Sequence, residues 1–446
     1  MMNYDVIIIG SGIAGYSAGL KCLEHGLKTA IVSSGQSALH FSSGSIDLLS
    51  HSPRTHQAVS NPWDEIAQLA ESQPNHPYAK LGTQTIRDAM SWYQTKMEQA
   101  GLSFAPLPSQ QNHFRITTIG TLKSTWLSQE HVAKIETDFS NLNSFKKVVM
   151  VSIDGFRDFQ PQIAKSNLEK HPAFKELPIK IVKVNLSAFG RLKRNPYDLR
   201  SIDISHLLMD DNQFQEFADQ LLKVATSDDL VILPAVLSSE GGIGLMKKLK
   251  DYTGLTFHQV PTMPPSLLGI RIEDVMKSAF INHGGVLHKG DEVLGGKFVE
   301  QDGKLALKSI QSKKMGDIDL IAKHYILASG SFFSKGLSAG QFGIHESIFG
   351  LDTEATGERE SWHQAQFFTK KPHPYLSFGV VTDAHFKPML QGQAIYNLYC
   401  VGAILSGYDP IVHGCGGGVA ISTAYSVVKH IVADAQDQKS VKEVIA

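Results

Sequence analysis

The chain has 446 residues, 42% hydrophobic and 19% charged, and its 42 Lys and Arg against 43 Asp and Glu leave a formal net charge of −1. That length supports a large buried core and two or three domains, while the balanced charge supplies no long-range field for nucleic acid or anionic lipid. Three cysteines, Cys22, Cys400 and Cys415, are too few for an iron–sulfur cluster and too scattered for a disulfide framework, so the expectation is a reducing, cytoplasmic compartment and no metal site.

Residues 5–9 are apolar and β-branched apart from Asp5, as expected of a central parallel strand. Residues 13–25 carry helical spacing and stop at Gly26, a residue suited to the position after a helix. Residues 29–32 then predict a second strand. Between the first strand and the helix stands Gly10-Ser11-Gly12-Ile13-Ala14-Gly15. In that context Gly10 permits the tight turn, Gly12 lets backbone approach a phosphate, and Gly15 lets the helix pack on the strand. The free N–H groups of the helix start complete an anion site.

Dinucleotide folds place Asp or Glu at the end of the second strand to hold an adenosine ribose. Here that position is Ser33, followed by Ser34 and Gly35. Three ligands remain open: one whose ribose is held by hydroxyls, an NADP-type 2′-phosphate with no Arg or Lys nearby to neutralise it, or a ligand without adenosine, such as FMN.

A Ser/Gly-rich segment, His40-Phe41-Ser42-Ser43-Gly44-Ser45, follows, then a loop and a helix over residues 83–99. Residues 147–153 and 230–233 predict strands, and residues 214–226 and 244–251 helices. The joint Val260-Pro261-Thr262-Met263-Pro264-Pro265 marks a return point, because X-Pro bonds favour extended chain. Residues 272–281 predict an amphipathic helix and residues 324–328 a buried strand that runs into the small-residue turn Ser329-Gly330-Ser331. A short strand within residues 396–403 leads through Gly402. His413-Gly414-Cys415-Gly416-Gly417-Gly418 then opens a helix over residues 419–432, a second place for an anion at a helix N-terminus. The expected architecture is α/β: a discontinuous Rossmann-like domain, a parallel sheet flanked by helices, in residues 1–100 and 263–446, with an inserted α/β cap or substrate domain in residues 101–262. No apolar run of roughly 20 residues predicts a transmembrane segment.

Several longer runs resemble the B subunit of the bacterial anaerobic glycerol-3-phosphate dehydrogenases: residues 35–50, Gly120 to Ser128, Pro264 to Arg271, Leu327 to Ser334, and His413 through Gly418. The resemblance implies a flavoprotein, with FMN favoured and FAD the alternative that the glycine motif suits. It also implies a complex that oxidises sn-glycerol 3-phosphate to dihydroxyacetone phosphate and passes electrons to quinone in fumarate or nitrate respiration. The partners implied are a catalytic flavoprotein, the A subunit, and a membrane-anchoring iron–sulfur protein, the C subunit, which would hold this chain at the inner face of the membrane. An independent FAD enzyme for another small molecule, an electron relay without its own substrate site, and a scaffold are the alternatives.

In such a flavoprotein the expected cofactor contacts are Gly10, Gly12, Gly15, Ser33, Ser43, Gly44, Ser329, Gly330, Gly402, Gly414, Gly416, Gly417 and Gly418. Alcohol oxidation also needs a base, for which His413 and His40 stand beside glycine-rich turns. A phosphorylated substrate needs a cation, for which Lys123, Arg115 and Arg271 are the candidates.

Overall fold

The first forty residues build a strand–turn–helix–strand unit around which one half of the molecule is organised. The computed structural model describes residues 2–106, 110–191, 195, 198–237, 244–301, 303–355, 357–369 and 371–445. The chain packs as two compact units, one made of Met1–Ala38, Asp47–Thr95 and Met276–Ala446, the other of Leu39–Ile46 and Lys96–Val275.

In the first unit β1 (Met2–Ile9), α1 (Ile13–Glu24) and β2 (Thr29–Ser33) follow one another directly. β1 is buried from Val6 to Ile9, as a strand covered on both faces must be. α1 ends where the sequence predicts, with Gly26 at a positive φ of 71° donating its N–H to Leu23. Helices α2 (Pro62–Ser72), α3 (Pro77–Leu81) and α4 (Thr83–Gln99) come next. Asn61 caps α2 by accepting from the Trp63 N–H, and Pro62 sits in the first turn where its missing donor does no harm.

The second unit carries its own parallel sheet. Its strands are β3 (Lys147–Ile153), β4 (Ile179–Val184), β5 (Asp229–Pro234) and β6 (Thr256–Val260), in the order β6-β5-β3-β4. Parallel neighbours need crossover segments, supplied here in part by α5 (Pro161–Glu169), α6 (Asp211–Leu222) and α7 (Gly244–Thr253). Asp210 caps α6 through the N–H groups of Asn212 and Gln213. All six residues of β5 are buried, within a hydrophobic core that also takes in Val148 to Val151 of β3.

α8 (Leu267–Asn282) carries the chain back into the first unit, where β7 (Val286–Lys289), β8 (Val293–Gln301), β9 (Lys304–Ser312), β10 (Leu320–Leu327) and β11 (Leu398–Cys400) complete the large sheet. Its order is β7-β2-β1-β10-β9-β8, with β11 pairing β10 in parallel over Tyr325 to Leu327. The four pairings among β7, β2, β1, β10 and β11 are parallel, whereas β8 and β9 form an antiparallel arm that pairs with β10 through Ile310 and Leu320. The last helix, α9 (Gly416–Ile445), packs against α1. Gly416, Gly417 and Gly418 are its first turn, although the sequence places the helix start at residue 419. Gly418 is there because a β-carbon would overlap the Tyr78 hydroxyl. Among the described residues no helix is long and apolar enough to cross a membrane.

Candidate functional site

The parallel strands of the large sheet run in one direction, and at their C-terminal ends lies a cavity of about 370 Å³. Such crevices outside the carboxyl ends of parallel strands are where open α/β sheets bind ligands. β1 delivers Gly10, Ser11 and Gly12; β2 delivers Ser33 and the residues after it; β10 delivers Ala328, Ser329 and Gly330; β11 delivers Val401 and Ala403; and α9 contributes Gly416. The whole lining belongs to the first unit.

The glycine turn is built as its spacing predicts. Gly10 has φ +111°, and a β-carbon there would overlap the Ala328 carbonyl of the neighbouring strand. A β-carbon at Gly15 would overlap the Gly10 carbonyl, so α1 lies directly on the turn. Gly12 differs: nothing lies within 4 Å of its β-carbon position, and the residue lines the cavity. α1 has no side-chain cap at Gly12 and no acidic residue in its first turn. Its first N–H groups and the positive end of its dipole are therefore available to an anion. The Ser329 hydroxyl, on the same lining, is buried with no hydrogen-bond partner among the described residues. An open backbone approach, an uncapped helix start and an orphaned buried hydroxyl fit a phosphorylated cofactor.

Of the residues expected at the cofactor, Gly10, Gly12, Ser33, Ser329, Gly330 and Gly416 line this cavity. Gly15 supports it from behind. Gly402 sits at φ +72° between the lining residues Val401 and Ala403 and donates its N–H to the Thr423 hydroxyl. Gly414, at φ +58°, packs on Ser50; Gly417 and Gly418 lie in the first turn of α9, and the Gly418 N–H donates to Asp47. Ser43 and Gly44 are not among the lining residues. They belong to the second unit, where the Ser43 carbonyl accepts from Arg115 and the Gly44 carbonyl from Gln129. Sequence reasoning missed Lys335, at φ +64°, and the carboxylates Asp291 and Glu292 that follow β7; all three line the cavity.

His413 is only 7% exposed. Burial, with help from His56 and His51, lowers its pKa to about 4, so the ring is neutral near pH 7. Its Nδ1 accepts the Asp409 N–H at 3.4 Å, and its carbonyl accepts from Ser50 and His51. His76, His413 and Cys415 bring one ligand-type atom each within 4.8 Å of one another. His76 Nδ1 already accepts the Tyr78 N–H at 3.0 Å, however, which puts the ring proton on Nε2. Burial also holds Cys415 as a thiol, well above its ordinary pKa. As folded, the trio is a neutral cluster rather than a set of lone pairs aimed at a cation.

In the second unit, His40 Nε2 lies 3.1 Å from a carboxylate oxygen of Glu273. Arg115 and Lys123 face each other across the ladder formed by His113–Ile116 and Leu122–Thr125. Arg115 is 2% exposed and donates to the carbonyls of Ser43 and Gln259. Arg271, also 2% exposed, donates to the side chains of Gln129 and Gln259 and to the Leu237 carbonyl, and burial lowers its pKa to about 10. The structure thus gathers both guanidinium groups around Gln259, bonded to protein carbonyls.

An FAD binding domain matches residues 5–419. The anaerobic glycerol-3-phosphate dehydrogenase B subunit of Vibrio vulnificus is 48% identical over 429 residues, 96% of each chain. The protein of the same name from Vibrio cholerae is 46% identical over 433 residues, 97% of each chain. Among solved structures, 3-ketosteroid delta1-dehydrogenase from Sterolibacterium denitrificans shares 10% identity over 97% of this chain and 100% of that one, at a TM-score of 0.47. With a flavin-binding α/β fold and near-full-length relatives at this identity, the chain belongs to the family of anaerobic glycerol-3-phosphate dehydrogenase B subunits.

Proposed function

We propose that this chain is the flavin-bearing B subunit of a complex that oxidises sn-glycerol 3-phosphate to dihydroxyacetone phosphate and passes the electrons toward quinone. The observation that carries the reading is the phosphate-ready cavity at the carboxyl ends of the parallel strands, in a chain 46–48% identical to relatives of that name. Its companions are a catalytic flavoprotein and an iron–sulfur protein that anchors the assembly at the inner face of the cell membrane.

The flavin is FAD. FMN and FAD differ by an adenosine monophosphate, and the cavity continues past the glycine turn along Ser33 to Ala38 and Asp291 to Val293. That extension supports a ligand with an adenosine half. When bound, the flavin supplies two-electron acceptance and release in single steps. The chain's own part is to hold it: N–H groups at the start of α1 receive a phosphate, Ser329 offers its hydroxyl, and α9 brings its start, with no acidic residue in the first turn, to the cavity through Gly416.

Within the complex, the placement of Arg115 and Arg271 favours an electron-carrying role for this chain over substrate oxidation. Both guanidinium groups are buried and bonded to protein carbonyls, and holding a substrate phosphate would require breaking those bonds.

Two measurements test the reading. The supernatant of acid-denatured protein, run against flavin standards, is expected to contain FAD at about one per chain; a colourless supernatant would overturn the flavoprotein reading. Anaerobic addition of glycerol 3-phosphate is expected to bleach the flavin of the assembled complex but not of this chain alone. Bleaching of the isolated chain would transfer substrate oxidation to it.

A further inference from the structure

One wall of the cavity is made by two segments of the first unit. The turn after β10 supplies Ser329, Gly330, Ser334, Lys335 and Gly336, and the chain just beyond the hairpin of Leu337–Ala339 and Ile344–Glu346 supplies Ser347 and Ile348. The two are bonded to each other: the Ser347 N–H donates to the Gly336 carbonyl at 3.1 Å, and Leu337 pairs with Glu346 across the hairpin. Gly336 in turn lies directly on the Gly330 carbonyl, with no room for a β-carbon. The same close approach brings Gly336 against the Ser329 hydroxyl, which is buried with no hydrogen-bond partner among the described residues.

Glu346 ties this wall together from behind. The residue is 3% exposed; its Oε1 accepts the Ile348 N–H at 3.0 Å and its Oε2 the Phe349 N–H at 2.7 Å. Burial pushes the carboxyl pKa up, and the N–H groups of Phe349, Ile348, Leu351 and Gly350 act against that shift. A carboxylate taken out of water is costly unless it is hydrogen-bonded, and backbone donors meet that need here. They also fix residues 347–351 as a tight turn, with Gly350 at φ +67°. Phe349 anchors the turn on its other side by packing edge-on against Phe298 of β8, ring centroids 5.9 Å apart.

We propose that Glu346 is a positioning residue for the flavin: by gathering the N–H groups that follow it, it locks Ser347 and Ile348 against Gly336 and so holds the Ser329 hydroxyl toward the cofactor. The proposal rests on the flavin reading of the cavity and is the same for FMN and FAD. Glu346 is not among the lining residues, so its effect passes through the wall. The work needs two acceptor oxygens on one side chain, one for each N–H. Glutamine has the same shape but one acceptor, and it turns an NH₂ group toward the other backbone donor. Glu346→Gln therefore loosens the turn without leaving a void.

The test uses the full chain, loaded with the flavin that the parent protein carries, in a double-mutant cycle of Glu346→Gln and Ser329→Ala. Flavin dissociation is read by the return of flavin fluorescence on dilution, and the fold by melting of flavin-stripped protein. Each single variant is expected to speed flavin release about tenfold. The double variant is expected to be no more than about twofold faster than the quicker single one, because both changes remove the same hydroxyl contact. The visible circular dichroism of the flavin still bound is expected to change alike in both. A Glu346→Gln release rate within about twofold of the parent, with only a lowered melting temperature, overturns the proposal and leaves a purely structural carboxylate. Losses that multiply to about a hundredfold in the double variant overturn it as well. Should Glu346→Gln not fold, Glu346→Asp, which keeps the charge on a shorter side chain, takes its place in the same cycle and is read against the same outcomes. A parent protein that carries no flavin overturns the flavin reading itself.

Discussion

The carbonyl oxygen of Gly10 occupies the place where the β-carbon of any larger residue at position 15 would have to go. The two glycines therefore set the distance between β1 and α1, and with it the direction in which the helix start faces the cavity. Gly15→Ala is expected to destabilise the fold by about 1–3 kcal/mol, because backbone rather than a flexible side chain must move. A thermal melt checks this, and the flavin-to-protein absorbance ratio of whatever folds is expected to drop with it.

Gly12→Ala is expected to behave in the opposite way. Gly12 has φ −77°, which an alanine adopts without strain, and its β-carbon would meet open space. Stability should stay within about 0.5 kcal/mol of the parent, while the new methyl group stands where the cofactor phosphate approaches. The purified variant is expected to be folded and largely colourless. A variant that keeps its full complement of flavin would show that the phosphate does not sit above residue 12.

The contrast between these glycines marks what the sequence made legible. The β1–α1–β2 segment is local: consecutive residues carry the strand, the turn, the helix and its stop, so pattern and structure agree from residue 5 to residue 33. Glycine clusters elsewhere were harder, because the residue serves close packing as readily as ligand binding. Gly418 is small to clear the Tyr78 hydroxyl, and Gly44, with φ +69°, is held in the second unit by Gln129. Glu292 had no local signal at all. It follows β7, a four-residue strand with no buried residue and so no alternation to read, and it reaches the cavity only because β7 pairs with a strand more than 250 residues earlier in the chain.

Arg271 is expected to reveal itself as a structural residue. Its guanidinium joins Gln129, Gln259 and the Leu237 carbonyl from the interior of the second unit. Lysine keeps the charge but not the planar fork, so Arg271→Lys leaves acceptors unsatisfied and is expected to lower stability by about 2 kcal/mol. Because the cavity lies in the first unit, flavin content per folded chain should be unchanged. A phosphate-binding arginine would give the reverse pattern in the assembled complex: an intact melting curve and a raised KM for glycerol 3-phosphate.

The buried histidines make acid stability the last prediction. His413 is held at a pKa of about 4, below the ordinary 6.5, chiefly by burial. Between those values the unfolded chain binds a proton that the folded chain does not, so stability rises with pH across the window. The contribution is fully present above about pH 6.5 and lost as pH falls toward the folded value, amounting to on the order of 3 kcal/mol for one such group. His76, lowered to about 3 by burial and by His413, acts in the same direction. Urea midpoints measured between about pH 7 and pH 5 are therefore expected to fall steadily for the parent and less steeply for His413→Asn, which removes one of the protons taken up on unfolding. Parallel slopes for the two proteins would mean that His413 titrates normally in the folded state.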